Sequence, residues 1–165
     1  MKDTPDNASG RIPNPESRTP KTSVDVVRLG KGRQTRVRLL KATARRILEI
    51  LNQQGAELSI ALVGNKEIQS LNSRYRAKDE PTDVLSFPMN EILPNGQLLI
   101  GDVVISVEKA ATQAKERRND FDQELRSLLI HGILHNLGYD HERSLADEKE
   151  MKRMERKVAR ALIGW

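Results

Sequence analysis

Residues 124–141 read "ELRSLLIHGILHNLGYDH", and this stretch decides how the rest of the chain must be arranged. Leu125, Leu128 and Leu129 mark one helical stripe, yet Ile130 and Leu134 fall outside it and are apolar too. A helix that is apolar nearly all round is a buried one, so other elements have to cover it. The same stretch holds all three histidines of a 165-residue chain. Four residues apart, His131 and His135 lie on one helical face about one turn from each other. That face borders the apolar stripe, which sets the two imidazoles at the edge of a core. Gly138 permits a sharp reversal of the chain, and His141 can then swing back toward the other two.

The covering elements follow from periodicity. "VDVVRLG" at 24–30 alternates like a half-buried strand, and "TRVRLLKATARRILEILNQQ" carries Val37, Leu40, Ala44, Ile47 and Leu51 at helical spacing. "AELSIALVG" alternates again, and Asn65 is expected to cap a helix whose apolar face is Ile68, Leu71 and Tyr75. Pro81 and Pro88 bracket "TDVLSF", a loop leading into a short edge strand. "PNG" at 94–96 is a turn signal before a strand interrupted by Gly101, which predicts a hairpin over 91–106. Ser106 is expected to cap a helix over 107–118, Asp120 to open the histidine helix, and Ser144 with Asp147 to start the last one. The order βαβαβ(β)ααα predicts an α+β fold, a small mixed β-sheet of about four strands packed with about five helices.

Residues 1–23 hold four of the seven prolines and only three apolar side chains, Met1, Ala8 and Ile12. So little apolar surface cannot offset the entropy of ordering, which predicts a disordered tail before a single domain over 24–165. The apolar stretches are too short for a bilayer span and the N-terminus lacks the apolar core of a secretory signal, so a cytoplasmic protein without membrane contact is expected. With no cysteine, any metal must be held by histidine and oxygen ligands. The net charge of +5 and pI near 9.6 suit a polyanion, while 3% aromatic residues argue against a broad base-stacking platform. Phosphate contacts should dominate any binding of nucleic acid.

The spacing i, i+4, i+10 with glycine at i+7 is the ligand spacing of the metzincin zinc signature. A lone histidine on an apolar face is usually a hydrogen-bonded core residue, but three at this spacing point to a metal. Three protein ligands leave a fourth tetrahedral position open, the arrangement of catalytic zinc. In zincins the residue after the first histidine is the glutamate that serves as general base. Here that residue is Gly132, and Glu142 cannot take the same helical position, so peptide hydrolysis by that route is disfavoured.

A second cluster lies in "YRAKDEPTDVLSFP" at 75–88, where Arg76, Lys78, Asp79 and Asp83 would otherwise read as a solvated turn. Together, "YR-KD-PTDVLSFP", "GDVVIS" at 101–106, "HGILH-LGYDH" and "MKRMERKVARAL" resemble the YbeY family of endoribonucleases, across roughly residues 24–164. The resemblance implies one zinc ion on His131, His135 and His141, with Arg76 as the catalytic arginine. It also implies a single-strand-specific enzyme of ribosome biogenesis that processes the 3' end of 16S ribosomal RNA and supports ribosome quality control. The partners implied are ribosomal RNA and the small ribosomal subunit, with a small-subunit ribosomal protein and a ribosome-assembly GTPase. Asn136 stands where the family more often has an apolar residue, which bears on packing.

The chemistry agrees with that resemblance. A phosphodiester is already anionic, so its transition state needs positive charge on the non-bridging oxygens and an activated nucleophile. A zinc ion can activate water or assist a ribose 2'-hydroxyl, and a guanidinium matches two phosphate oxygens. Asp140 is expected either to orient a ligand histidine or to cap the turn, and Asp102 to support the site similarly. The cations Arg33, Arg36, Arg38, Lys41, Arg45 and Arg46 around the first helix are the expected RNA-binding face, because acidic residues offset those of the last helix. Two rival readings are a metzincin-like metallopeptidase and a non-catalytic, zinc-stabilised ribosome-assembly factor.

Overall fold

The computed structural model describes residues 21–28 and 37–163. Most of the proposed N-terminal tail, and Arg33 and Arg36 of the proposed RNA-binding face, lie outside the described residues. The elements run β1 (Ser23–Arg28), α1 (Val37–Ile50), β2 (Glu57–Val63), α2 (Asn65–Arg76), β3 (Val84–Ile92), β4 (Leu98–Ser106), α3 (Val107–Glu116), α4 (Phe121–Asn136) and α5 (Leu145–Ala161). The sheet order is β1-β2-β4-β3, with the first three strands parallel and β3 antiparallel to β4 at the edge. This is the small mixed sheet with five helices that the alternating periods predict.

Alternation along β2 and β4 sorts the two faces. Leu58, Ile60, Leu62, Val103 and Ile105 join α1, α4 and α5 in the main core, while Val63, Leu85 and Val104 form a smaller cluster with Ile68 of α2. The histidine helix is buried as its sequence requires: Leu125, Leu128, Leu129, Ile130, Ile133 and Leu134 are all buried. Its start is secured by a capping box between Asp120 and Gln123. Ser106 caps α3 by accepting from the Lys109 N–H, and Ser144 caps α5 by accepting from the Asp147 N–H.

Asn65 does not cap α2. Gly64 holds that position, and the Asn65 side chain instead accepts a hydrogen bond from the Ser106 hydroxyl at 2.7 Å, linking α2 to the end of β4. Tyr75, expected on the apolar face of α2, is 58% exposed. The edge strand is nine residues long, not short, because a bulge carries it past Pro88: Pro88 pairs with Gly101 and Glu91 with Leu99. Gly101 has φ +134°, and a Cβ there would lie 2.1 Å from the Phe87 carbonyl oxygen. Gly138, after α4, has φ +92° with open space around it.

These two glycines therefore differ in what they tolerate. Gly138→Ala should cost about 1–2 kcal/mol, the left-handed penalty alone. Gly101→Ala adds a backbone clash and should cost more than about 3 kcal/mol. Urea unfolding of the metal-free variants measures both, and equal losses would refute the close approach at the bulge.

Candidate metal centre

α4 delivers the site by lying unusually close to the sheet. At Gly132 a Cβ would fall 2.6 Å from Val103 Cγ1, 3.2 Å from Val103 Cγ2 and 3.3 Å from Ser86 Oγ. The Ser86 hydroxyl fills the approach by donating to the Gly132 carbonyl at 3.1 Å. A side chain at residue 132 would have to push the Val103 side chain aside, which gives a packing reason for the absent glutamate.

Beyond that contact the three imidazoles converge. Their ring centroids are 4.6 Å apart for His131 and His135, 5.3 Å for His131 and His141, and 5.0 Å for His135 and His141. One ring nitrogen from each lies within 4.8 Å of the others. A tetrahedral zinc site with bonds of about 2.1 Å needs nitrogens about 3.4 Å apart, a closure that small side-chain rotations provide. All three rings are half-buried. Burial first, then the neighbouring His131 and His141, lowers the pKa of His135 below its ordinary value, which favours the neutral ring that a metal requires. The donor set and its spacing fit a divalent ion.

The second nitrogen of His131 is engaged from α5. Its Nδ1–H donates to Glu155 Oε1 at 2.7 Å, which leaves Nε2 free to bind a metal. Sequence reasoning missed Glu155. The available signal was its place among Met151, Met154 and Val158, the buried stripe of α5, where a carboxylate is out of character.

The two aspartates proposed for such support are placed differently. Asp140 accepts from the Glu142 N–H at 2.9 Å and pairs with Arg143 at 2.9 Å, so its carboxylate closes the turn that carries His141. That backbone hydrogen bond, and next among the favourable causes Arg143, hold its carboxyl below the usual range. Asp102 contributes through its backbone: its carbonyl accepts from Asn136 Nδ2 at 3.0 Å. Asn136 is fully buried, and its own carbonyl accepts from Asn90 Nδ2 at 3.2 Å. These bonds tie the end of α4 to the β3–β4 bulge.

A cleft of about 670 Å³ opens over the histidines, lined also by Tyr75, Arg76, Lys78, residues 82–88 and residues 138–143. Arg76, at the end of α2, reaches Glu142 at 3.5 Å, next to His141. The loop bearing Lys78 and Asp83 is anchored, since Asp83 accepts from Gln113 Nε2 at 2.9 Å and from the Val84 N–H at 2.8 Å. The cations of α1 are not brought to this cleft: α1 packs on β1, at the sheet edge opposite β3. Of them, Lys41 pairs with Asp25 at 3.5 Å and Arg46 with Glu49 at 2.9 Å, while Arg38 and Arg45 are exposed.

Comparison with known proteins decides the family. Residues 29–163 match the model of the family described as endoribonuclease YbeY. The chain belongs to the YbeY family. An endoribonuclease YbeY of Anaeromyxobacter sp. (strain Fw109-5) is 49% identical over 77% of this chain and 66% of its own length. That of Aquifex aeolicus is 42% identical over 78% of this chain and 85% of its own length. The match thus spans just under two thirds of the Anaeromyxobacter relative. The solution structure of TM1509 from Thermotoga maritima superposes with a TM-score of 0.59 at 31% identity, covering 87% of this chain and 89% of that one. No helix among the described residues is long and apolar enough to cross a membrane.

Two substitutions separate holding the metal from orienting its ligand. His131→Ala should abolish stoichiometric zinc binding. Glu155→Ala should fold normally but weaken zinc affinity by roughly 10–100-fold. Competition against a chelator reads both, and an unchanged affinity in the second variant would remove Glu155 from the site.

Proposed function

We propose that the chain is a zinc-dependent endoribonuclease that cuts single-stranded segments of ribosomal RNA, at the 3' end of the small-subunit RNA, in the cytoplasm. The observation that carries this reading is the placement of Arg76 against Glu142, beside a three-histidine cluster whose neighbouring position 132 has no carboxylate. His131, His135 and His141 would hold the ion, which when bound supplies an activated water and polarises a phosphoryl oxygen.

The remaining tasks fall to this chain's own side chains. Arg76 is exposed and its partner Glu142 is exposed too, so a phosphate can replace that carboxylate at little cost. The guanidinium then faces two non-bridging oxygens and stabilises charge that grows in the transition state. Lys78 and Arg143 line the same cleft and add positive charge near the cut. Arg38 and Arg45 of α1 face solvent at the far edge of the sheet, so they contribute to RNA contact only away from the cleavage point. Ribosomal RNA within the small subunit, with a subunit protein and an assembly GTPase nearby, is the setting in which such an activity serves ribosome maturation.

A peptidase of the same ligand spacing would need a base that Gly132 cannot provide. Arg76→Ala should lower the cleavage rate by at least about 100-fold, as loss of one oxyanion-stabilising donor does, while zinc stays stoichiometric. Incubation with small-subunit ribosomal RNA and with casein, with and without chelator, provides the check. Full RNA cleavage by the variant, or casein cleavage by the parent, would overturn the assignment.

A further inference from the structure

The chain has two Phe, two Tyr and one Trp, too few for a broad stacking platform, yet Tyr75, Phe87 and Tyr139 all line the cleft over the histidines. Concentrating the rings there is not explained by phosphate chemistry. Tyr75 is the conspicuous one: a large ring left 58% exposed, on the residue immediately before Arg76. Its ring meets Phe87 edge-on at 5.2 Å with an interplanar angle of 74°, and Phe87 is itself packed on the smaller core cluster. The ring is thus held from behind by the fold rather than free on the surface. The Arg74 guanidinium lies 5.5 Å from the same ring's centroid.

We infer that Tyr75 is a base-stacking subsite that grips the nucleobase of a nucleotide adjoining the scissile phosphate. The inference rests on the ribonuclease reading above and deepens it by naming what the cleft recognises besides phosphate. A phosphate engaged by Arg76 carries its nucleoside past the adjacent residue of the same helix end, where an anchored, exposed ring stands. A base in a duplex keeps its faces covered by neighbours, whereas an unpaired base offers a free π-face, so a stacking subsite selects single-stranded RNA and is tolerant of sequence. The apolar cover that Tyr75 gives Phe87 is the competing role, and leucine would supply that cover without a ring.

The test uses the zinc-loaded full chain, a fluorescent single-stranded 2'-O-methyl oligonucleotide for binding, and the unmodified strand for cleavage. Removing one base at a time should reveal one position at which an abasic residue weakens wild-type binding by about tenfold, the scale of one stacked base. Tyr75→Leu should weaken the intact strand by a similar factor and lose its sensitivity to that abasic position, with zinc content and Tm unchanged. Tyr75→Phe should keep the discrimination. Equal losses on intact and abasic strands, no loss at all, or a lowered Tm without the coupling would overturn the subsite. Coupling in binding without RNA cleavage by the parent would leave the subsite standing and sink the nuclease reading; cleavage without coupling would do the reverse. Dependence on Tyr75 for a casein peptide in place of RNA would end both.

Discussion

The absence of one side chain sets the geometry on which the remainder depends. Because residue 132 carries no Cβ, α4 settles onto β4 until Val103 and Ser86 are in contact with its backbone. That depth buries Leu129, Ile133 and Leu134 completely and leaves the opposite flank, with His131 and His135, at the rim of the sheet. A packing constraint and a chemical one thus meet in a single glycine. The position that would hold a base for amide hydrolysis is spent on bringing helix and sheet together.

Around that helix the polar contacts are arranged in two tiers. Nearest the histidines, Glu155 fixes the tautomer of His131 and Asp140 closes the turn bearing His141. Farther back, Asn136 and Asn90 lash the end of α4 to the bulge, so the histidine helix cannot slide along the strand without breaking these bonds. A three-nitrogen site tolerates little displacement of its donors, and these bonds supply the stiffness its coordination geometry demands.

Much of this was legible in the residues. Period-two and period-3.6 patterns are direct signatures of half-buried strands and helices, and the caps at Ser106, Asp120 and Ser144 announce themselves by local spacing. The histidine cluster was legible for the same reason: two of the histidines share a helix and the third follows one turn of chain. What was missed or left open was of another kind. Asn65 reads as a cap only if its side chain has no better partner, and Ser106, forty-one residues away, is that partner. Glu155 lies twenty-four residues from His131, so only the docking of α5 on α4 reveals it. For Asp140 the sequence left two roles open, orienting a histidine or capping the turn, and the Glu142 N–H and Arg143 are the partners its oxygens take. The first-helix cations form a dense run in sequence, and only the sheet order shows that α1 packs at the edge opposite β3.

The bulge in β3 has a consequence beyond holding Gly101 in place. An edge strand exposes a row of unpaired amides that other polypeptides can extend by strand addition, whether as substrates or as aggregates. Here Pro88 removes a donor, Asn90 turns into the left-handed region at φ +53°, and the regular part of the strand beside the cleft shrinks to the residues from Val84 to Phe87. An extended polypeptide therefore finds only a short ladder to join at the mouth of the cleft, whereas a sugar-phosphate chain would need none.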